Sequence, residues 1–169
     1  MEKIIFREPA ISDVKSALEM INSLVKEKAY ILAQEKLTLN EEKKFFKKLL
    51  KEIETKTRVT LIIDVSEKCC GIGDISLIDK GVRKHVGELG ILLKKEIRGR
   101  GLGEKLLKKV IEKAHKELKV KIVTLYAYSK NKVAINLYKK MGFKKLGTIK
   151  KGASHYGKLM DKDIMVKYI

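Results

Sequence analysis

The chain has 169 residues, of which 44% are hydrophobic and 36% are charged, and it contains a single proline. This composition suits one compact domain spanning residues 1–169 and excludes a disordered, collagen-like or low-complexity protein. With 39 Lys and Arg against 21 Asp and Glu, the formal net charge is +18. Such a charge favours anionic partners, although a lysine-rich surface is also typical of thermophilic proteins.

Cellular location and metal chemistry are both constrained by simple patterns. The sequence has no apolar run long enough to cross a bilayer, and its first residues lack the apolar core of a signal peptide, so it predicts a cytoplasmic protein without a membrane partner. Cys69 and Cys70 are adjacent, which suits neither an ordinary disulfide nor a zinc site. Because His85, His115 and His155 have no ligand spacing, no metal is expected.

The N-terminal third predicts one strand and two helices. Residues 4–6 favour a strand, and Ser12 is the expected N-cap of a helix with apolar residues at helical spacing. After an irregular stretch over residues 29–39, Asn40 and the two glutamates behind it predict the start of a second helix that continues to Ile53. Both helices are amphipathic, each with one apolar face.

The middle of the chain predicts a meander followed by a long helix. Three short β-rich segments cover residues 59–65, 71–78 and 86–93, and their short connections favour antiparallel pairing. The apolar stripe from Leu102 to Leu118 is the strongest secondary-structure signal and predicts the third helix.

The C-terminal part completes a mixed sheet. Residues 120–128 predict a buried strand, residues 131–141 a short helix that ends at Gly142, and residues 143–149 and 163–169 two closing strands. The strand–helix–strand order across the third helix requires one parallel pair in an otherwise antiparallel sheet. The predicted fold class is therefore α/β: a mostly antiparallel mixed sheet flanked by about four helices.

A glycine-rich segment precedes the third helix and reads Arg98-Gly99-Arg100-Gly101-Leu102-Gly103. Glycines at alternate positions let the backbone approach a ligand closely, and the helix N-terminus adds free N–H groups and partial positive charge. With its two arginines the segment predicts a cradle for a pyrophosphate; a glycine-rich turn with incidental arginines is the alternative. The spacing excludes a Walker A loop and a Rossmann fingerprint.

In this context the sequence resembles the GNAT superfamily of acetyl-CoA-dependent N-acetyltransferases. Arg98, Gly101 and Gly103 match the family's motif A, Arg/Gln-x-x-Gly-x-Gly/Ala, at a strand-to-helix junction. Residues 131–143, with an Asn, Ala-Ile-x-Leu-Tyr and Gly-Phe, are similar to motif B, and residues 88–93 resemble the strand before motif A. The resemblance implies the GNAT fold, in which two parallel strands splay apart around the cofactor.

The resemblance also implies that the chain binds acetyl-CoA and assigns residues to it. The backbone of Ile91, Leu92 and Leu93 would pair with the pantetheine arm as an added strand. The pyrophosphate would be held by the residues of the glycine-rich segment and the one after it: Arg98, Gly99, Arg100, Gly101, Leu102, Gly103 and Glu104. Asn131 and Tyr138 would also contact the cofactor, and a main-chain N–H of Leu92 or Leu93 would stabilise the oxyanion.

The implied reaction moves the acetyl group to a primary amine by direct attack through a tetrahedral intermediate. Because the amine must first lose a proton, a base is needed, and Glu88 is the first candidate. His85 or a chain of water molecules are alternatives, and a surface salt bridge is the structural alternative for Glu88. Several N-terminal acetyltransferases of the family place a base glutamate where this chain has Tyr126, so their mechanism does not transfer directly.

Tyr138 is the second catalytic candidate, as a hydrogen-bond donor to the leaving sulfur. Periodicity alone would make Tyr138 an ordinary core tyrosine and Asn131 an ordinary helix cap. The resemblance is what favours a functional role for both.

The acceptor is expected to bind in a groove lined by residues 29–39 and 154–160. Candidate acidic residues of this groove are Glu35, Glu88 and Asp161. A strongly positive protein repels polyamines, which favours a protein or peptide amine over a polyamine or another small molecule. A GNAT-fold binding module for nucleic acid or the ribosome is the non-enzymatic alternative. It is disfavoured because the lysines are scattered and aromatic residues are few. The sequence leaves a monomer and a homodimer open.

Overall fold

A computed structural model of the protein describes residues 2–79 and 81–169. Its helices and strands run in chain order as β1 (Ile4–Arg7), α1 (Val14–Lys26), α2 (Leu39–Glu54), β2 (Arg58–Val65), β3 (Lys68–Leu77), β4 (Val86–Leu93), α3 (Leu102–Leu118), β5 (Ile122–Tyr128), α4 (Lys132–Lys140), β6 (Lys144–His155) and β7 (Lys158–Tyr168). None of the helices described is long and apolar enough to span a membrane.

The strands form one sheet in the order β1-β2-β3-β4-β5-β7-β6. Within the described ranges, β4 and β5 pair in parallel and the other neighbours pair antiparallel. This confirms the predicted fold class, a mixed α/β sheet with one parallel pair flanked by four helices. The last strand, β7, lies between β5 and β6, an order that the chain sequence alone did not reveal.

The parallel pair separates part of the way along its length. Pairing between β4 and β5 covers Val86 to Glu88 on one strand and Ile122 to Thr124 on the other. Beyond Glu88, β4 continues to its end paired with β3 alone, and β5 continues paired with β7. The result is the predicted V-shaped gap, with an unpaired strand edge on each side.

The helices cover both faces of the sheet because each buries one apolar stripe. On one face α3 and α4 pack on the larger core, which includes Leu106, Val110 and Ile75. On the other face α1 and α2 pack on a smaller core that includes Phe46 and Ile72. Alternate residues of β3 and β4 therefore face opposite helix layers.

Two predicted helix caps are wrong. The N-cap of α2 is Thr38 and not Asn40: its Oγ1 accepts from the Glu41 N–H at 3.3 Å, and the Glu41 carboxylate accepts from the Thr38 N–H at 2.7 Å. This reciprocal capping box satisfies two helix-end donors at once, which a lone Asn40 could not do. Ser12 lies in a short 3-10 turn, and α1 begins after Asp13.

The two closing strands are longer than predicted. β6 and β7 form a hairpin over residues 144–168, whereas the pattern predicted segments 143–149 and 163–169. Most of β6 is exposed and rich in lysine, because it is the edge strand of the sheet. An exposed edge strand carries little apolar alternation, so its full length was not visible in the pattern.

Candidate functional site

The loop between β4 and α3 contains two glycines in a backbone conformation that favours glycine. Gly99 and Gly101 have φ values of +73° and +72°, a left-handed conformation that other residues rarely adopt. A Cβ added at either position would meet nothing within 4 Å. Gly101 is the N-cap of α3, and no side chain caps it. The first N–H groups of α3 are therefore free to bind an anion.

Gly103 permits a close approach between three elements. A Cβ at Gly103 would lie 3.0 Å from Cδ1 of Leu93 and 3.4 Å from Cδ2 of Leu137. The absence of a side chain thus lets the start of α3 contact the end of β4 and α4. The glycine-rich loop consequently lies beside the mouth of the gap between β4 and β5.

Both arginines of the loop already have protein partners. Arg98 donates from Nε and Nη2 to the Leu93 carbonyl at 2.9 and 2.8 Å and also pairs with the Glu27 carboxylate. Arg100 pairs with Glu2 at 2.9 Å. Arg98 therefore connects the loop to the end of β4, and the N–H groups in the first turn of α3 stay free of these contacts.

Glu104, in the first turn of α3, is also engaged. Its carboxylate accepts from Nζ of Lys140 at 2.6 Å, which ties α3 to α4. Its side chain is therefore occupied, and the main-chain N–H groups of Leu102, Gly103 and Glu104 remain for the predicted cradle.

The free edge of β4 presents main-chain groups to the gap. The Val86 carbonyl and the Lys94 N–H bond to the β3 side, at 3.2 and 2.8 Å. Main-chain groups alternate in direction along a strand, so Leu92 also bonds toward β3. Ile91 and Leu93 point into the gap instead. The geometry therefore favours Leu93 over Leu92 as the donor to an oxyanion.

Tyr138 lies on α4 in the core that lines the gap. Its side chain is 8% exposed, and its ring meets the Phe143 ring edge-on at 5.9 Å. Within residues 2–79 and 81–169 its hydroxyl has no hydrogen-bond partner. Burial raises the pKa of Tyr138 to about 12, so the phenol keeps its proton and can donate it in a hydrogen bond. Asn131 caps α4, accepting from the Ala134 N–H at 3.2 Å.

Glu88 stands at the vertex of the gap. It is the last β4 residue paired with β5, opposite Thr124, and its side chain is exposed on the sheet face that α1 and α2 cover in part. His85 lies three residues earlier, where its carbonyl accepts from the N–H groups of Lys121 and Ile122. That is the closed end of the strand pair, so the geometry favours Glu88 over His85 as the base.

A second carboxylate near Glu88 was missed in the sequence. Asp74 is on β3, opposite Gly90, with Arg58 Nε 3.6 Å from its Oδ2. Burial raises its pKa to about 6; Arg58 opposes this shift, and the charges of Glu52 and Glu88 add to it. The available signal was one charged residue inside the apolar run at 71–78, because a charged side chain in a buried strand needs a polar partner.

The two segments expected to line the acceptor side contact each other. Gln34 donates from Nε2 to the Ser154 carbonyl at 2.8 Å and accepts from the Tyr156 N–H at 2.7 Å. The Tyr156 hydroxyl donates to the Val25 carbonyl at 3.0 Å. The tip of the β6–β7 hairpin is thus fastened to the segment between α1 and α2.

Aromatic rings fill the space beneath this connection. Tyr30 lies 5.2 Å from Tyr128 and 5.0 Å from His155 between ring centroids. Tyr126 is 45% exposed and has the Lys162 ammonium 5.1 Å from its ring centroid. The wall of the groove is therefore aromatic and not acidic at this point.

The other predicted groove acids differ in their surroundings. Asp161 accepts from Nζ of Lys150 and from the Lys151 N–H, both at 2.9 Å, so its charge is already paired. Glu35 is exposed on the segment between α1 and α2. In the part of the chain that the structure describes, no group of three or more His, Cys, Asp or Glu side chains is arranged to hold a metal ion.

Comparison with known proteins gives a consistent picture. The profile of the acetyltransferase (GNAT) domain family matches residues 3–144. An L-amino acid N-acetyltransferase, AaaT of Escherichia coli K12, is 34% identical over 85 residues, 50% of this chain and 52% of that protein. The chain thus spans about half the length of this curated relative.

Solved structures share the fold along the whole chain. An acetyltransferase of the GNAT family from Streptococcus pneumoniae superposes with a TM-score of 0.85 at 28% identity, covering 99% of this chain and 100% of that one. The protein yncA of Salmonella typhimurium, solved with its cofactor acetyl-CoA, also has a TM-score of 0.85, at 17% identity over 98% of this chain and 94% of its own.

Proposed function

This chain belongs to the GNAT acetyltransferase family, and we propose that it transfers the acetyl group of acetyl-CoA to a primary amine. One observation carries the proposal: the uncapped start of α3 at Gly101 lies beside the unpaired edge of β4. The first offers donors to a pyrophosphate, and the second offers a strand edge to an amide-containing arm. Coenzyme A contains both groups in one molecule.

On the acceptor side, Glu88 removes the proton of the attacking amine. An alkylammonium group has a pKa of about 10.4, so it carries its proton at neutral pH and cannot attack until a base takes it. Glu88 is exposed at the vertex of the gap, where an amine entering from the face of α1 and α2 meets the cofactor arm. This placement supports the role.

On the cofactor side, two donors serve the charge that develops. Acetyl-CoA supplies a thioester, whose carbonyl oxygen and sulfur become more negative as the amine attacks. The Leu93 N–H points into the gap and donates to the oxygen, and the hydroxyl of Tyr138 donates to the sulfur. The high pKa of Tyr138 supports a hydrogen bond without full proton transfer.

We propose a protein or peptide amine as the acceptor. A +18 protein repels a polyamine, whereas an amine on an acidic or neutral protein arrives on a body that is attracted or not repelled. A free amino acid is the second candidate, because AaaT is named as an L-amino acid N-acetyltransferase.

The test measures thiol release from acetyl-CoA with an unbiased panel of peptides, proteins, free L-amino acids and spermidine. We expect turnover that Glu88→Gln lowers near pH 7 and that recovers at high pH, where bulk solvent deprotonates the amine. Glu54→Gln on the exposed end of α2 is the matched control for charge. No thiol release with any amine contradicts the function, and an unchanged pH profile in Glu88→Gln rules out this base. A highest specificity constant for amino acids or spermidine rejects the protein acceptor.

A further inference from the structure

A lysine without an acidic partner stands on the acceptor side of the sheet. Lys162 lies on β7 and is half-buried. Among the residues that the structure describes, no carboxylate lies within 4.0 Å of its ammonium, and its two acidic neighbours in the sequence are engaged elsewhere. Asp161 pairs with Lys150 at 2.9 Å. Asp163 pairs with Lys145, also at 2.9 Å. The charge of Lys162 is therefore available to a ligand.

The ammonium of Lys162 leans toward the gap. Its Nζ lies 5.1 Å from the ring centroid of Tyr126, which is on β5, the strand that borders the gap. Leu125 and Ala127 lie in the larger core under α3 and α4, so Tyr126 between them faces the side of α1 and α2. An aromatic ring attracts a cation placed over its face. The Tyr126 ring thus holds the ammonium on the face of the sheet from which we expect the acceptor amine to enter.

Tyr126 lies between this lysine and the proposed base. Glu88 of β4 pairs with Thr124 of β5, and Thr124 and Tyr126 share a face because they are two residues apart. Two residues span about 7 Å along a strand, and neighbouring strands are about 4.8 Å apart. These spacings place the Lys162 ammonium on the order of 10 Å from the start of the Glu88 side chain. One small ligand can therefore reach the carboxylate with its amine and the ammonium with an anionic group.

We propose that Lys162 binds a carboxylate of the acceptor, so that the preferred substrate is an amine with a carboxylate a few bonds away. This inference rests on the proposed function and narrows its substrate class. A lysine ammonium donates charge-assisted hydrogen bonds to a carboxylate. The same charge repels the second amine of a polyamine inside the groove. The carboxylate belongs either to a free amino acid or to an acidic side chain near the amine of a peptide, and both sources offer the same chemistry.

The test uses pairs of acceptors that differ in the carboxylate alone. Thiol release from acetyl-CoA is measured with free L-amino acids against their amides, and with peptides that have Glu against those that have Gln at the second position. Replacing a carboxylate by an amide also changes the pKa of a nearby amine. The informative quantity is therefore how a substitution in the protein changes the ratio of the two specificity constants. The pair whose ratio changes identifies the source of the carboxylate.

Lys162→Met removes the charge and keeps most of the apolar stem. We expect it to lower the carboxylate-to-amide ratio about tenfold by raising the KM of the carboxylate form, with kcat and the KM for acetyl-CoA unchanged. Lys162→Arg keeps the charge and should retain most of the ratio. Lys116→Met, at an exposed position of α3 on the other face of the sheet, is the matched control and should leave the ratio as it is in the wild type.

The outcomes separate this inference from the proposed function. A ratio that Lys162→Met leaves unchanged for both amino acids and peptides overturns the inference, while the acetyl transfer itself stands. An equal loss of activity toward the carboxylate and the amide leaves the ratio unchanged as well, and it would show that Lys162 only supports the fold. A wild type that acetylates no amine overturns the proposed function, and the inference with it.

Discussion

The cofactor side and the acceptor side of the gap are built in different ways. The proposed cofactor side offers main-chain groups of a short contiguous segment, from Ile91 to Glu104, whose geometry is set by glycines. The proposed acceptor side offers side chains brought together from α2, β2, β3 and β4 and from the tip of the β6–β7 hairpin. A cofactor site of this kind depends on residues that are close in sequence, whereas the residues of the acceptor site come together only when the sheet forms.

The two sides also differ in what they hold before a ligand binds. Free N–H groups at the start of a helix can be hydrated by solvent, so leaving them without a protein partner destabilises the loop very little. The acceptor side instead holds the partly buried Asp74 carboxylate, and burial is the main reason why its pKa is raised to about 6. Keeping such a group ionised destabilises the fold, which is typical of a group retained for chemistry.

The sharpest separation of the two sides is expected from Gly101→Glu. A left-handed residue with a negative side chain at the start of α3 should weaken coenzyme A binding about 100-fold or more. Isothermal calorimetry measures this, and binding to the wild type should weaken as salt rises. Gly81→Glu places the same charge in the exposed loop between β3 and β4 and should bind normally. Normal binding by Gly101→Glu would place the pyrophosphate elsewhere.

Tyr138→Phe tests whether the cofactor side contributes to chemistry as well as to binding. We expect kcat to fall about 30-fold with the acetyl-CoA dissociation constant unchanged, since the hydroxyl acts as the sulfur gains charge. Steady-state kinetics and calorimetry together give this separation. Tyr168→Phe, at an exposed tyrosine, is the control. If affinity falls and kcat does not, Tyr138 only binds the cofactor.

Asp74→Asn tests the cost of the acceptor side. Asp74 has a pKa of about 6 in the folded protein, whereas an ordinary aspartate has a value near 4. The free energy of unfolding therefore falls as pH rises between those values, because the folded protein resists ionisation of Asp74. Removing the charge should therefore raise the free energy of unfolding by roughly 1–2 kcal/mol at pH 7 and by nothing at pH 4. Urea unfolding at the two pH values measures the difference. Equal stability changes at both would show that Asp74 is a structural ion-pair partner.

The smallest effect is expected from removing the hydrogen bonds that hold the tip of the β6–β7 hairpin. Gln34→Ala removes two hydrogen bonds to the tip of the hairpin, so the acceptor KM should rise about threefold while coenzyme A affinity stays the same. Lys116→Ala, exposed on α3, is the control. A change in coenzyme A affinity would show that the two sides are not separable.

Much of the fold followed from local patterns. Apolar spacing in α3, the short connections of the meander and the strand–helix–strand order were enough to predict a mixed sheet with one parallel pair, and the structure confirms it. The patterns were weakest where little apolar surface is buried, as in β6, and where a cap depends on reciprocal bonds, as at Thr38.

The candidate site shows the same difference between features set by neighbouring residues and features set by tertiary contacts. Gly99 and Gly101 could be recognised in the sequence because each meets a backbone requirement within a few residues of itself, whereas Gly103 answers the close approach of Leu93 and Leu137. Nothing near Asp74 in the sequence reveals Arg58 or Glu88. These groups meet because strand pairing sets their register across β2, β3 and β4, and burial then shifts a carboxylate that would be ordinary in a free chain. Backbone conformation is thus a local property of the sequence, whereas the electrostatic environment of a side chain is decided by the tertiary structure.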